Sequence, residues 1–153
     1  MDHNEVSGLL KDSLRKYGSV WMRLEGKSML PFLKSGTLIS VRHADLKDIH
    51  LGDIVIFKKD DMTIAHRVFK KVNFGGRFFL RTKSDISFSP EPLIGHEGLI
   101  GKVTAFKRFG REITVDNFIF RLLGLTAGLL FPFIARGHFR LKSAGSYAVQ
   151  NQI

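Results

Sequence analysis

The chain has 153 residues, 44% of them apolar, with 15 glycines and no cysteine. That balance suits one turn-rich domain with a real core, and it excludes disorder, disulfides and thiolate metal sites. Lys and Arg outnumber Asp and Glu by 24 to 14, a formal charge of +10. The charge is scattered in short pairs such as Lys58-Lys59 and Lys70-Lys71. It suits acidic peptide, anionic lipid or nucleic acid without forming the long basic run of a dedicated nucleic-acid binder.

Residues 5–16 place Val6, Leu9, Leu10 and Leu14 at helical spacing, ended by Tyr17-Gly18, and predict a short amphipathic helix. The first residues carry Asp2, Glu5 and Asp12 and no apolar run of signal-peptide length, so neither a signal peptide nor an N-terminal anchor is expected. A strand follows over 19–24 and is broken by Gly26. From Thr37 onward the pattern is β: strands are expected over 37–41, 53–58, 62–72, 77–82 and 99–106, with a last short one over 113–115. Gly36, Gly52, Gly75-Gly76 and Gly110 punctuate them, and Gly75-Gly76 reads as a hairpin turn because both glycines accept positive φ.

The end of the chain changes character. From Phe118 to Ala135 it is almost wholly apolar, and Arg111, Arg121, Arg136, Arg140 and Lys142 flank or interrupt it. The uninterrupted part, 122–135, would make a helix about 21 Å long, short of the roughly 30 Å of a hydrocarbon core. Pro132 also disfavours a straight helix. This segment is expected either to cover the domain or make an oligomer contact, or to lie in a membrane interface. The expected organisation is a catalytic domain over 1–117, an apolar basic-flanked helical segment over 118–142 and a tail over 143–153.

Three short segments carry groups that an activated serine requires. Gly26-Lys27-Ser28-Met29-Leu30-Pro31 offers a hydroxyl, Ala65-His66-Arg67-Val68 an imidazole, and Leu80-Arg81-Thr82-Lys83-Ser84-Asp85 a carboxylate. Each residue also has a plainer reading. Ser28 can cap a short helix over 29–34, His66 can be a satisfied core histidine on a strand, and Asp85 can bond its own backbone in a turn. The histidines at 3, 43, 50, 96 and 138 match no such pattern, and no pair has metal-ligand spacing, so no metal and no cofactor are expected.

The order and setting of the three boxes resemble the catalytic domain of type I signal peptidases, in the branch that uses histidine as base. That family pairs a Ser-Met-x-Pro box with a His-Arg-Val strand and a Thr-Lys-Gly-Asp turn, and the likeness covers residues 25–106. It implies a mainly β fold, a small antiparallel barrel-like peptidase domain with a short N-terminal helix and an apolar C-terminal helical segment. It implies a serine endopeptidase that cleaves a precursor or leader peptide bound in extended form, between walls such as the strand from Trp21 and the segment after Ile56. Ser28 would be the nucleophile, His66 the general base and Asp85 its orienter, with Glu91 in reserve and Lys70 a weaker base. The Ser28 N–H would face the oxyanion, and Gly26, Met29 and Pro31 would meet the substrate, while Met29 and Leu30 can also anchor the turn in the core.

Two departures stand out. Gly26 occupies a position where many members have a hydroxyl, and Ser84 replaces the turn glycine. LexA-type repressors share the barrel, but they use lysine as base and carry a DNA-binding module for which the roughly 20 residues before this barrel are too few. A polypeptide substrate is therefore expected, with Phe118 to Ala135 as a candidate peripheral membrane contact and nucleic acid not expected. The expected location is the cytoplasm or the cytoplasmic membrane surface. The alternative is a non-catalytic basic β-barrel that binds peptide, nucleic acid or anionic membrane.

Overall fold

A computed structural model describes residues 3–60 and 62–147, with side chains assigned at 5, 7–60 and 62–134. A helix α1 (His3–Tyr17) is followed by strands β1 (Ser19–Arg23), β2 (Leu38–Arg42), β3 (Ile54–Lys59), β4 (Met62–Phe74), β5 (Arg77–Lys83), β6 (Leu99–Arg108) and β7 (Arg111–Thr114), and by a long helix α2 (Phe118–Tyr147). One 3-10 turn, Leu46–Asp48, was not legible in the sequence pattern. The strands form a single antiparallel sheet in the order β1-β2-β6-β3-β4-β5. Strand β7 pairs with β6, on the edge that β3 has left, because Ala105 pairs with both Ser40 and Thr114. The mainly β architecture with a helix at each end is the one the sequence implies.

Local chemistry explains the boundaries. Helix α1 buries Leu14 completely and stops where Gly18, at φ 77°, returns its amide to the Leu14 carbonyl. The β4–β5 hairpin closes on Gly75-Gly76, at φ 57° and 82°, with Phe74 paired to Arg77.

Strand β3 lies between β6 and β4 and is buried on both faces, so its side chains alternate between two apolar clusters. Ile54 and Ile56 enter a cluster with Leu14, Met29, Leu33, Ile39, Val41 and Phe106. Val55 and Phe57 enter a second with Ile49, Val68, Leu80 and Ile94.

Helix α2 continues through Pro132. Proline lacks the N–H that would bond the carbonyl four residues back, at Gly128. The Lys83 ammonium donates to that carbonyl at 2.6 Å, so the orphaned acceptor is satisfied from outside the helix. At its first turn α2 is tied down by Arg121, whose guanidinium donates to Asp53 and Asp116 at 2.6 Å each. Burial works against the Asp116 charge, but its bonds to Lys102 and Arg121 outweigh this and hold its pKa below the ordinary carboxylate value. The helix also passes the expected tail boundary at Ser143, and residues 148–153 of that tail lie outside the described residues.

Ile56, 1% exposed on the doubly buried strand, tests the packing. Ile56→Ala should lower unfolding free energy by about 2–5 kcal/mol in urea titration.

Candidate active site

Residues 26–36 form a loop clamped at both ends. Leu24 donates its amide to Thr37 and accepts from Gly36. Gly26 has φ 93° and open space where a Cβ would stand, so backbone conformation and not crowding asks for glycine. Met29 and Leu33 plug the loop into the first core cluster at 1% exposure each. Met29 thus takes the core-anchor role, one of the two expected of it, and at 1% exposure it is not placed to meet substrate. Gly26 and Pro31 are exposed. The helix expected over 29–34 is replaced by turns with a single bond of helical type, Leu33 to Met29. Leu30 precedes proline, which disfavours helical backbone there. Ser28 therefore caps no helix.

Ser28 is held through its main chain. Its carbonyl accepts the Ser84 hydroxyl at 2.6 Å and the Asp85 amide at 2.8 Å. Ser84, a departure in sequence terms, is in the fold a second tether on Ser28. Among the described residues the Ser28 amide donates to no backbone carbonyl. The Ser28 hydroxyl, half-buried, donates a long 3.4 Å bond to the carbonyl of Ala65. That carbonyl belongs to the peptide joining Ala65 to His66.

His66 pairs with Val55 in the β3–β4 ladder and shares its face with Val68 and the second core cluster. Its ring stands edge-on to Phe57, centroids 5.8 Å apart, and is 5% exposed as a residue. Burial depresses its pKa below 6.5, with the Glu91 charge acting the other way and Lys59 adding to the drop. The imidazole is accordingly neutral at neutral pH. Its Nδ1 lies 3.8 Å from Glu91 Oε1 and has no hydrogen-bond partner among the described residues. Glu91 is in turn fixed by its amide on Thr82 and by Lys59, 2.5 Å from Oε2.

Asp85 does not reach His66. Arg67 donates from Nε to Asp85 Oδ1 at 3.0 Å and from Nη2 to Oδ2 at 2.8 Å, taking both oxygens. Strand geometry makes this inevitable. Arg67 pairs with Lys83, two residues before Asp85, and Arg67 and His66 project to opposite faces of β4. The expected orienting role for Asp85 is therefore corrected, and the carboxylate beside His66 is the reserve, Glu91. Burial pushes the Asp85 pKa up and the Arg67 guanidinium pulls against it. Arg67 also donates to the Gly52 carbonyl at 2.9 Å and lies over the Phe32 ring at 4.9 Å.

Helix α2 closes over this pair with glycines. A Cβ at Gly124 would stand 2.0 Å from Arg67 Nη1, and one at Gly128 would stand 2.9 Å from Asp85 Oδ1. Lys83, its pKa lowered by burial with Asp85 opposing, bridges the Ser87 and Gly128 carbonyls beside it. Lys70 is exposed on β4. Arg67, Ser84, Lys59 and the two helix glycines were missed in the sequence because their roles depend on tertiary neighbours.

Removing one member of a buried pair leaves an uncompensated charge. Asp85→Ala should destabilise the fold by about 3–5 kcal/mol in urea titration. The double change Arg67→Met with Asp85→Leu should recover most of that loss.

Residues 5–104 match the family model described as Peptidase S24-like. No curated protein and no solved structure matches the chain.

Proposed function

The chain belongs to the Peptidase S24-like family, which implies a hydrolase of the serine-peptidase or autoprotease kind, and from that premise we propose that it is a serine endopeptidase acting through Ser28 and His66 on an extended precursor or leader peptide. The observation that supports this reading is the Ser28 hydroxyl on the carbonyl of Ala65, the residue next to His66, whose buried imidazole has its pKa lowered and its Nδ1 facing Glu91.

The chemistry runs from the residues outward. Glu91, a carboxylate facing Nδ1, favours the tautomer with its proton there, which leaves Nε2 as the acceptor for the Ser28 proton. The Ser28 oxygen attacks the scissile carbonyl, and the Ser28 amide receives the oxyanion. The imidazolium then protonates the departing amine, and a water activated by His66 releases the acyl group. Asp85 acts at one remove in this scheme, because its amide and its Arg67 partner fix the loop that carries Ser28. With histidine as base the scheme follows the signal-peptidase-like branch.

The fold leaves room for an extended substrate. Pairing of β4 with β5 begins at Arg67 with Lys83, so among the described residues no strand pairs with 62–66 on the side away from β3. A peptide strand added at that edge would run past Ser28. An adjoining cleft is lined by Phe57, Lys58, Lys59, Phe78, Phe79 and Ile94. Phe57 and Lys59 belong both to this cleft and to the surroundings of His66 and Glu91. The lining also carries Asp45 and Glu97, but Lys and Arg outnumber them, which suits apolar and acidic substrate residues.

Purified protein should cleave a pool of precursor peptides read by mass spectrometry. Ser28→Ala and His66→Ala should each lose about 10⁴-fold or more in kcat. Equal cleavage by all three would remove both residues from the mechanism. Failure of all three, with no labelling of Ser28 by an acylating probe, would favour a binding domain.

The pH profile tests Glu91. Activity should rise with pH as His66 loses its proton, with a midpoint below the ordinary 6.5. Glu91→Gln removes the charge that raises the His66 pKa, so the midpoint should fall further, while kcat drops on the order of 10²-fold. An unmoved midpoint would take Glu91 out of the role.

A further inference from the structure

Helix α2 has two unlike sides. Eight large apolar side chains between Phe118 and Ile134 are 50–73% exposed, among them Leu122, Leu129, Leu130 and Phe133. At 3.6 residues per turn they fall on one arc of about 160°. The opposite arc carries Phe120, Gly124 and Gly128 against the sheet. The one polar residue on the outer arc, Thr126, folds its hydroxyl back onto the Leu122 and Leu123 carbonyls at 3.2 and 2.9 Å. Over residues 118–134 the outer face thus presents no polar group that asks for water.

Charge decides what covers it. Residues 118–147 contain no Asp or Glu; Arg121 is already paired with Asp53 and Asp116, and Arg136, Arg140 and Lys142 follow it within a chain of net charge +10. Two copies meeting face to face would bring these cations together with no acid on either helix to pair them. An anionic lipid surface supplies both the apolar layer and the counter-charge. Among the described residues no helix is long and apolar enough to cross a membrane, so the fitting geometry is parallel to the surface.

We propose that the outer face of α2 docks on an anionic lipid bilayer, lying in its interfacial layer while the inner face stays on the Arg67–Asp85 pair. The proposal stands apart from the peptidase chemistry. It does add that a substrate reaching Ser28 is presented close to a membrane surface, because the Asp85 amide connects the helix-covered pair to the Ser28 carbonyl.

The test uses the full chain carrying Ser28→Ala, so that binding is read without turnover. Vesicles of phosphatidylcholine with 30% phosphatidylglycerol, and of phosphatidylcholine alone, are sedimented with the protein. Binding is expected to the anionic vesicles and to weaken with salt. Leu129→Gln with Leu130→Gln should lower the partition coefficient at least about tenfold, since each buried CH₂ contributes about 0.8 kcal/mol, with thermal unfolding unchanged. As a second readout, Leu130→Trp in a Trp21→Phe background should shift its emission to the blue on anionic vesicles. Absence of binding, or equal binding by the double variant, would overturn the proposal. So would a dimer in sedimentation equilibrium that the double variant dissolves, which would assign the face to a second copy.

Discussion

The ion pair between Arg67 and Asp85 is the constraint on which the rest of this structure depends. Both residues are almost fully buried, at 3% and 1% exposure. Taking two charges out of water costs several kcal/mol per ion and is offset only by close geometry and complete hydrogen bonding. The fold supplies both. Two bonds join the charged groups, the remaining guanidinium nitrogen meets the Gly52 carbonyl, and Phe32 covers the flat face. Every element that meets that need is thereby fixed in place. Strand β4 supplies Arg67, the turn after β5 supplies Asp85, the nucleophile loop supplies Phe32, and α2 must come in with glycines because nothing larger fits above the charges.

From that constraint follows a division of labour between two carboxylates. Asp85 is committed to Arg67 and holds Ser28 through its backbone, since its amide and the Ser84 hydroxyl both land on the Ser28 carbonyl. Glu91 lies on the other side of β4, near His66 and bound to Lys59. The alternation of a single strand separates the two roles: Ala65 and Arg67 face the loop, and His66 faces the second core cluster. Burial keeps the imidazole neutral, which a base requires, and the nearby glutamate limits how far its pKa falls. The proposed chemistry therefore needs both faces of β4 in register at once.

Much of this was legible in the residues. Alternating β-branched and aromatic runs bounded by glycines predict each strand to within a residue or two, because period and turn chemistry are local. Ser28 and His66 stood out through the order of their boxes, and the fold sets the Ser28 hydroxyl on the carbonyl of Ala65, one residue before His66. What failed was what depends on three-dimensional neighbours. A carboxylate six residues after Asp85 competes with it for His66, and only the β4–β5 register decides between them. Pro132 frees a carbonyl whose partner, Lys83, no local pattern announces. Ser84 looks like a lost glycine until its hydroxyl is seen on Ser28.

The most direct test of the central claim is the site and pH dependence of acylation by a serine-reactive fluorophosphonate, located by peptide mass spectrometry. The account predicts one adduct, on Ser28, forming at a rate that rises with pH through a single pKa below the ordinary histidine value, and lost in His66→Ala. An adduct on another serine, or Ser28 labelling that His66→Ala leaves unchanged, would contradict it.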